Sequence, residues 1–261
     1  MQRLRLLAGR RAARREAGRF VVEGPKLLGE ALAAGATVDA VYLDSSAGEE
    51  LRELAGRAGR RGARILETAP GVLTRACDTV AAQPVAAIVE TPAVSLADLE
   101  GRRPDPVVVC VDLQDPGNAG TIVRSAAASG AGAVIFCSGA VDVYNPKAVR
   151  ASAGAVFHLP VVTGAPAGET LDRLGLWGLR RIATTARGGH PYDRADLAGP
   201  CALVLGGESR GLPDGLAGRL DQLVTIPMVA TSESLNVAMA ATIVCFEAAR
   251  QRRERSGAAG T

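Results

Sequence analysis

The sequence contains few aromatic residues, few histidines and no long hydrophobic run. Aromatic residues make up 3% of its 261 residues, which argues against a surface that binds single strands by stacking their bases on aromatic rings. Its purely apolar runs, such as residues 201–205, are much shorter than the roughly 20 residues that span a bilayer. Residues 1–7 are too polar and too charged for a secretory signal. The sequence therefore predicts a cytoplasmic protein that does not contact a membrane.

A metal site is not expected, because the cysteines and histidines are few and far apart. The five cysteines form no C-x-x-C pair, and several of them lie in apolar runs. His158 and His190 are 32 positions apart. This pattern is typical of buried, unpaired thiols in a reducing compartment and not of a zinc site. The cysteines are Cys77, Cys110, Cys137, Cys201 and Cys245.

Three common catalytic or nucleotide-binding motifs are also unsupported. Residues 207–211 match the G-x-S-x-G of serine hydrolases, but Pro213 breaks the chain soon afterwards and no histidine follows His190. Gly130 and Gly132 precede a predicted strand, whereas a dinucleotide-binding glycine motif follows one. The G-K-[ST] signature of a nucleotide-binding P-loop does not occur in the sequence.

The pattern that is present predicts an α/β protein in two parts. Continuous apolar strands alternate with helix-like segments in the second part, which implies a mostly parallel sheet covered on both faces. We therefore expect an N-terminal domain at residues 1–90, a linker with three prolines at 91–106 and a C-terminal domain at 107–261.

The predicted elements follow from apolar periodicity and helix start signals. In the first part, strands are expected at residues 20–24, 38–43, 63–66 and 85–89, and helices at 25–34 and 49–60. In the second part, strands are expected at residues 107–113, 133–137, 156–162, 179–184, 201–205 and 223–226.

Basic charge is concentrated at the N-terminus. Residues 1–20 hold seven arginines and one acidic residue, so they carry +6 while the rest of the chain carries −3. A second cluster contains Arg57, Arg60, Arg61 and Arg64. Two interpretations of these clusters remain open: a basic arm and surface that bind RNA phosphates, or ordinary solvated helix faces.

Three loops follow buried strands, at the edge of the sheet where α/β proteins bind ligands. In the first, Asn118 predicts a helix cap, and a helix that begins there places Arg124 near its second turn, where it can meet a phosphate. In the second, glycines surround Glu208. In the third, a polar loop leads into a long helix that Ser234 or Glu233 would cap. Each loop alone fits an ordinary turn, and only their occurrence together is specific.

With these loops the sequence resembles the SpoU (TrmH-type) branch of the SPOUT RNA methyltransferases, over nearly the whole chain. The first family motif is residues 118–124, Asn-x-Gly-x-Ile-x-Arg, and the second is residues 205–211, Leu-Gly-Gly-Glu-x-x-Gly. The third is residues 226–228, Ile-Pro-Met, followed by Ser-Leu-Asn-Val at 234–237. Residues 20–24 and the segment up to about residue 90 resemble the family's ribosomal-protein-like RNA-binding domain.

The resemblance implies a C-terminal domain with a deep trefoil knot that binds S-adenosylmethionine and forms a homodimer through its last helix. By position, Arg124 would be the main catalytic residue, together with Asn118, Glu208, Ser234 and Asn236. The residues expected to hold the cofactor are Thr184, Leu205, Gly206, Gly207, Ile226, Met228 and Leu235.

The reaction implied is transfer of a methyl group to a ribose 2′-hydroxyl of structured RNA. A guanidinium is a poor proton acceptor, so Arg124 is expected to orient a phosphate and stabilise negative charge on the attacking oxygen. The N-terminal domain favours ribosomal RNA as the substrate. A transfer RNA substrate and a non-catalytic RNA-binding or assembly role remain the alternatives.

Overall fold

The structure is a computed structural model that describes residues 1–77, 83–229 and 234–258. The first 92 residues contain α1 (Gln2–Gly9), α2 (Arg11–Ala17), β1 (Arg19–Glu23), α3 (Pro25–Ala33), β2 (Val38–Asp44), α4 (Glu49–Arg60), β3 (Arg64–Thr68), α5 (Val72–Cys77) and β4 (Val85–Glu90). The rest of the chain contains α6 (Leu96–Glu100), β5 (Val107–Cys110), α7 (Pro116–Ala128), β6 (Ala133–Cys137), α8 (Pro146–Ser152), β7 (Val161–Ala165), α9 (Ala167–Leu176), β8 (Arg180–Thr184), β9 (His190–Pro191), β10 (Cys201–Leu205), β11 (Gln222–Thr225) and α10 (Val237–Ala258).

The chain divides into two compact units. Unit 1 contains Met1–Pro92 and Asp142–His158, and unit 2 contains Ala93–Val141 and Leu159–Thr261. The inclusion of Asp142–His158 in unit 1 was not anticipated from the sequence. Within unit 2, α6 contributes Leu96 and Leu99 to the core, so the segment expected to be a linker contains a packed helix. The predicted boundaries at residues 90 and 107 stay a prediction.

Unit 1 is built on a four-stranded sheet with the order β1-β4-β2-β3. Strand β4 is antiparallel to both of its neighbours, and β2 and β3 are parallel. The predicted strands, α3 and α4 match the structure to within two residues, because their apolar residues alternate or recur at helical spacing. The small α/β fold expected for the first part is therefore confirmed.

The N-terminal segment of unit 1, for which a basic arm and solvated helix faces were the two interpretations, is helical. It forms α1 and α2, and Leu4 and Leu7 are buried in the same core cluster as Val21 and Ile88 of the sheet. Two leucines three residues apart lie on one face of a helix, so the segment is anchored by apolar packing. Its arginines are therefore carried by two docked helices.

Unit 2 is built on a seven-stranded parallel sheet with the order β7-β6-β5-β10-β8-β11-β9. All residues of β5, β6 and β10 are buried, as expected where helices cover both faces of a sheet. The predicted parallel sheet is confirmed. Because its strands are parallel, the loops after β5, β8, β10 and β11 leave from the same edge of the sheet.

Two predicted strands in this part of the chain differ from the structure, and one short strand was not predicted. The strand expected at residues 107–113 ends at Cys110. The strand expected at residues 156–162 begins only at Val161, and Ala155–Phe157 form a 3₁₀ turn because Gly154 turns the backbone to φ 99° immediately before them. The short strand β9 was not predicted, since its two residues give no periodicity signal.

The five cysteines are unpaired and buried. Burial raises the pKa of the Cys137 and Cys201 thiols to about 11, so these thiols stay protonated at neutral pH. Among the residues described, no helix has the length and apolar character needed to cross a membrane.

Candidate active site

The loop after β10 is a closed hairpin that contains Glu208. Gly207 and Gly211 exchange two backbone hydrogen bonds of 3.0 Å each, and Gly211 has φ 66°, a conformation that favours glycine. A Cβ on Gly206 would lie 2.3 Å from the carbonyl carbon of Gly211, and one on Gly207 would lie 2.6 Å from the carbonyl oxygen of Asp112. The glycines therefore allow the hairpin to close on itself and on the loop after β5. This hairpin is not the strand-to-helix turn of a serine hydrolase.

Helix α7 begins three residues earlier than the sequence prediction placed it. Its cap is Asp115, whose Oδ1 accepts a hydrogen bond of 2.8 Å from the backbone N–H of Asn118, and Pro116 is the first helical residue. The prediction of Asn118 as the cap was therefore wrong, because an aspartate directly before a proline is the stronger start signal. Arg124 consequently lies in the third turn of α7 and not in the second.

The carboxylate of Glu208 binds the first residues of the α7 loop. Its Oε1 accepts hydrogen bonds from Asn118 Nδ2 (2.9 Å) and from the backbone N–H of Asp115 (3.1 Å), and its Oε2 accepts one from the backbone N–H of Gln114 (3.1 Å). Partial burial raises the pKa of Glu208, but the hydrogen bonds from Asn118 and these backbone groups outweigh it, so the pKa lies below its usual value. Glu208 is therefore a carboxylate at neutral pH.

Asn118 and Asn236 extend this contact to the start of α10. Asn236 Nδ2 donates a hydrogen bond of 3.0 Å to Asn118 Oδ1. Asn236 Oδ1 accepts hydrogen bonds from the backbone N–H groups of Ala238 (2.9 Å) and Met239 (3.3 Å), which is the contact pattern of a helix N-cap. The cap is therefore Asn236 and not Ser234, while Glu233, the other predicted cap, lies outside the described residues.

A cavity of about 1020 Å³ lies at the same edge of the sheet in unit 2. The ends of β8, β10 and β11, the Glu208 hairpin and the start of α10 line it. Six of the seven residues predicted to hold a cofactor line this cavity, namely Thr184, Gly206, Gly207, Ile226, Met228 and Leu235. Three of the five predicted catalytic residues also line it, namely Glu208, Ser234 and Asn236.

Leu205 and Arg124 are placed differently from the other predicted residues. Leu205 is buried and does not line the cavity, and its carbonyl accepts a hydrogen bond of 2.9 Å from the backbone N–H of Val111. Arg124 is exposed on α7, and its side chain has no hydrogen-bond or ion-pair partner within the described part of the chain. The roles predicted for these residues stay predictions.

Sequence reasoning missed Gln114, an exposed residue whose side chain is bonded to the first loop and to the loop after β6. Its Nε2 donates hydrogen bonds to Asp112 Oδ1 (2.8 Å) and to the backbone carbonyl of Gly139 (3.2 Å). Asp112 itself has φ 55°, which is uncommon for a residue other than glycine. The available signal was the set of polar residues that follow β5, and the predicted loop began only at Asp115.

The comparisons with known proteins agree on one family. The profile of the SpoU rRNA Methylase family matches residues 105–246, and that of the MRM3-like substrate binding domain matches residues 1–87. A 23S rRNA (uridine(2479)-2′-O)-methyltransferase of Streptomyces viridochromogenes is 35% identical over 96% of this chain and 89% of its own. The 23S rRNA (guanosine(2553)-2′-O)-methyltransferase RlmP of Bacillus subtilis is 31% identical over 87% of each chain.

A solved structure gives the same result for the fold. The crystal structure of the SpoU methyltransferase AviRb from Streptomyces viridochromogenes with AdoMet aligns with a TM-score of 0.86, at 34% identity and over 97% of each chain. The two-part fold and the motifs at the sheet edge therefore define a SpoU-type protein with a substrate-binding domain. The chain belongs to the SpoU rRNA methylase family, and this prediction is confirmed.

Proposed function

We propose that this protein transfers a methyl group from S-adenosylmethionine to a ribose 2′-hydroxyl of ribosomal RNA. The observation that carries this proposal is the hydrogen-bonded series Glu208, Asn118 and Asn236, which joins the three motif loops beside the cavity. These side chains satisfy one another and are held in fixed orientations, as expected of a preorganised site.

The cavity fits S-adenosylmethionine in size and in chemistry. Its volume of about 1020 Å³ is at the upper end of the range found for small-molecule sites, about 300–1,000 Å³. Ile226, Met228 and Leu235 supply apolar contacts, and the tight backbone at Gly206 and Gly207 allows close approach of a ligand. When bound, this cofactor supplies an activated methyl group. These residues would hold it, and Thr184 and Ser234 add polar groups to the wall.

Arg124 is the residue we assign to the substrate. It is exposed, it lies on the helix whose start is held by Glu208 and Asn118, and it has no competing partner among the described residues. A permanently charged guanidinium suits a phosphate and stabilises charge that develops on the attacking ribose oxygen. Phosphate or solvent then takes the hydroxyl proton. Glu208, Asn118 and Asn236 position the loop from which α7 starts.

The RNA contacts of unit 1 are assigned to the arginines that remain unpaired. Arg3, Arg14 and Arg19 are engaged in ion pairs with aspartates of the same unit. Within the described residues, the side chains of the other four N-terminal arginines are exposed and have no partner. These four, which we call the free arginines, are Arg5, Arg10, Arg11 and Arg15. The match of residues 1–87 to a substrate-binding domain supports this assignment.

The further properties implied by family membership are part of the same proposal. We propose a homodimer through α10, where Met239 and Phe246 expose 58% and 44% of their surface. The trefoil knot in the C-terminal domain, the domains at residues 1–90 and 107–261, and a cytoplasmic location complete it. Light scattering of the purified protein tests the dimer directly.

One experiment separates the proposed function from its alternatives. Purified protein is incubated with methyl-tritiated S-adenosylmethionine and unmodified in vitro transcripts of 23S ribosomal RNA or transfer RNA, and 2′-O-methylated positions are then mapped. We expect labelling of one position in the ribosomal RNA. Labelling of transfer RNA alone would favour that substrate. RNA binding without labelling, by protein that also fails to retain the cofactor, would indicate a non-catalytic role.

A further inference from the structure

The segment Asp142–His158 connects two strands of the unit 2 sheet, yet it belongs to unit 1. Its neighbours along the chain, β6 and β7, are adjacent parallel strands of unit 2. Three ion pairs and two aromatic contacts hold the segment in unit 1. The ion pairs are Arg14 with Asp142, Glu23 with Arg150 and Glu30 with His158. The ring of Phe20 contacts Tyr144 and Phe157 at centroid distances of 4.9 and 5.8 Å.

The ion pair of Arg14 and Asp142 is the most buried of the three ion pairs. The side chains are 4% and 13% exposed, Asp142 Oδ2 accepts a hydrogen bond from Arg14 Nε (2.7 Å), and the same oxygen lies 2.6 Å from Arg14 Nη2. Arg14 Nη1 donates to the backbone carbonyl of Leu7 (2.7 Å), near the end of α1. Asp142 Oδ1 accepts from the backbone N–H of Tyr144 (3.0 Å). Each polar group of the pair is therefore held in one orientation.

The residue before Asp142 is bonded to the motif loop of unit 2. The backbone N–H of Val141 donates a hydrogen bond of 2.7 Å to the carbonyl of Leu113. Leu113 directly precedes Gln114, whose side chain donates to Gly139 and whose backbone N–H donates to Glu208. Asp142, whose carboxylate is bonded within unit 1, thus directly follows Val141, whose backbone is bonded to Leu113. Leu113 in turn precedes the residue whose backbone N–H donates to Glu208.

We propose that Asp142 is a positioning residue for methyl transfer. By holding the chain at the Val141–Asp142 junction, it fixes the Leu113–Gln114 backbone and, through it, the start of α7 on which Arg124 is carried. The inference rests on the proposed function. It also gives Arg14 a role distinct from the free arginines Arg11 and Arg15, which share α2 with it, and from Arg10, which is the N-cap of that helix. RNA bound to those arginines would therefore contact α2, the helix whose Arg14 binds Asp142.

The proposal is tested first on the unaltered protein. Backbone amide exchange is compared with and without an unmodified 23S ribosomal RNA transcript. We expect slower exchange at Gln114, Asp115 and Val141 when RNA is bound, because the junction tightens the hydrogen bonds that these amides donate. Unchanged exchange at all three amides under saturating RNA would overturn the proposal, whatever any variant does.

The second arm uses Asp142→Asn, with Asp142→Glu as the conservative variant. We expect the single-turnover methylation rate of Asp142→Asn at saturating RNA and cofactor to fall at least tenfold, since a misplacement of about 1 Å costs up to about 100-fold. The dissociation constants for RNA and for S-adenosylmethionine should stay within about twofold, and Asp142→Glu should recover most of the rate.

A matched control and the cofactor measurement separate the possible failures. Asp39→Asn removes an aspartate of unit 1 that pairs with Arg3 and Arg19 but lies outside the segment, and its rate should equal that of the unaltered protein. An Asp142→Asn rate equal to that of Asp39→Asn would overturn the positioning role. Absence of methylation by the unaltered protein would instead contradict the proposed function.

Discussion

The polar side chains of the unit 2 motif loops are bonded within the protein, whereas several arginines of the unit 1 N-terminal helices have no partner among the described residues. Glu208, Asn118 and Asn236 use their hydrogen-bonding groups on one another and on helix starts. In the described residues, Arg11 of α2 and Arg10, which caps that helix, are exposed and unpaired. Hydrogen bonds within the protein fix the orientation of a side chain, whereas an unpaired charged side chain can bind an anion such as an RNA phosphate. Under the proposed function, the motif loops of unit 2 would therefore arrange the reaction, and the N-terminal helices of unit 1 would hold the RNA.

Each region also contains residues of the opposite kind. Arg3 and Arg14 of unit 1 are paired with aspartates, and Arg14 is buried. Arg124 of unit 2 is exposed without a partner in the ranges that the structure describes. In the proposed function, Arg124 would meet the RNA substrate beside the fixed motif loops. Arg14 joins the helices to which we assign RNA contacts to the Asp142–His158 segment.

The largest effect is expected from Arg124→Ala. Removing one group that stabilises charge in a transition state typically lowers kcat about 100- to 1,000-fold. Cofactor affinity, measured by calorimetry, should not change, because Arg124 does not line the cavity. Arg124→Lys separates charge from geometry: recovery of the rate would show that charge suffices, and continued loss would show that the bidentate guanidinium is needed. A fully active alanine variant would contradict the assignment.

A smaller effect is expected from reversing one hydrogen bond in the network. In Asn118→Asp, the carboxylate can no longer donate to Glu208 and repels it, so we expect kcat/KM to fall about 10- to 100-fold, or about 1.4–2.8 kcal/mol. Adding Glu208→Gln supplies an amide donor toward residue 118 and should restore part of the loss. Steady-state kinetics of both variants measure this coupling. A double variant worse than the product of the single effects would mean that the contact is not functional.

The sequence predicted the elements of the sheet well because their signals are local. The strand at residues 201–205 and the helix at 49–60 match β10 and α4 residue for residue, since apolar runs and helical periodicity are properties of short windows. Helix α1 was not predicted, because Arg3 and Arg5 lie on both sides of Leu4 and obscure its spacing with Leu7. The charge of residues 1–20 left a basic arm and solvated helix faces as alternatives, and neither included the packing of α1 into the core.

The site was predictable in composition but not in its bonding. The three motifs identified Glu208, Asn118 and Asn236, yet the bond between the two asparagines joins residues 118 positions apart. The assignment of Asp142 to unit 1 depends on Arg14, which is 128 positions away. Contacts of this kind depend on how the elements pack in three dimensions, and no window of a single sequence contains that information.

A smaller effect, on cofactor affinity, is expected from a substitution that tests whether the closed Glu208 hairpin shapes the cavity. In Gly207→Ala, the new Cβ would lie 2.6 Å from the carbonyl oxygen of Asp112, so the hairpin must shift. Overpacking of this kind costs about 1–3 kcal/mol, and we expect the dissociation constant for S-adenosylmethionine to rise about tenfold. Gly218→Ala is the matched control, because a Cβ there meets no atom within 4 Å. Calorimetry should find the control unchanged, and equal affinities for both variants would refute the idea.

The smallest effect at physiological salt is expected on RNA affinity, when the free arginines are replaced. This change also tests most directly the contrast between the bonded motif loops and the unpaired arginines. Replacing Arg5, Arg10, Arg11 and Arg15 by glutamine should weaken RNA binding about threefold to tenfold and reduce the slope of log K against log salt by about 3, since each phosphate contact contributes about 0.7–0.9. The controls are Arg3→Gln and Arg52→Gln, which remove arginines of similar exposure that are paired with Asp39 and Glu67.

Binding is measured by fluorescence anisotropy from 50 to 300 mM salt. Because a paired arginine has its charge balanced inside the protein, the controls should leave the slope almost unchanged. If paired and unpaired arginines lowered the slope equally, net charge and not pairing would govern RNA binding. The contrast between the two regions would then reflect only how much charge each carries, and the RNA contacts would have to be sought on the Arg57–Arg64 side of unit 1.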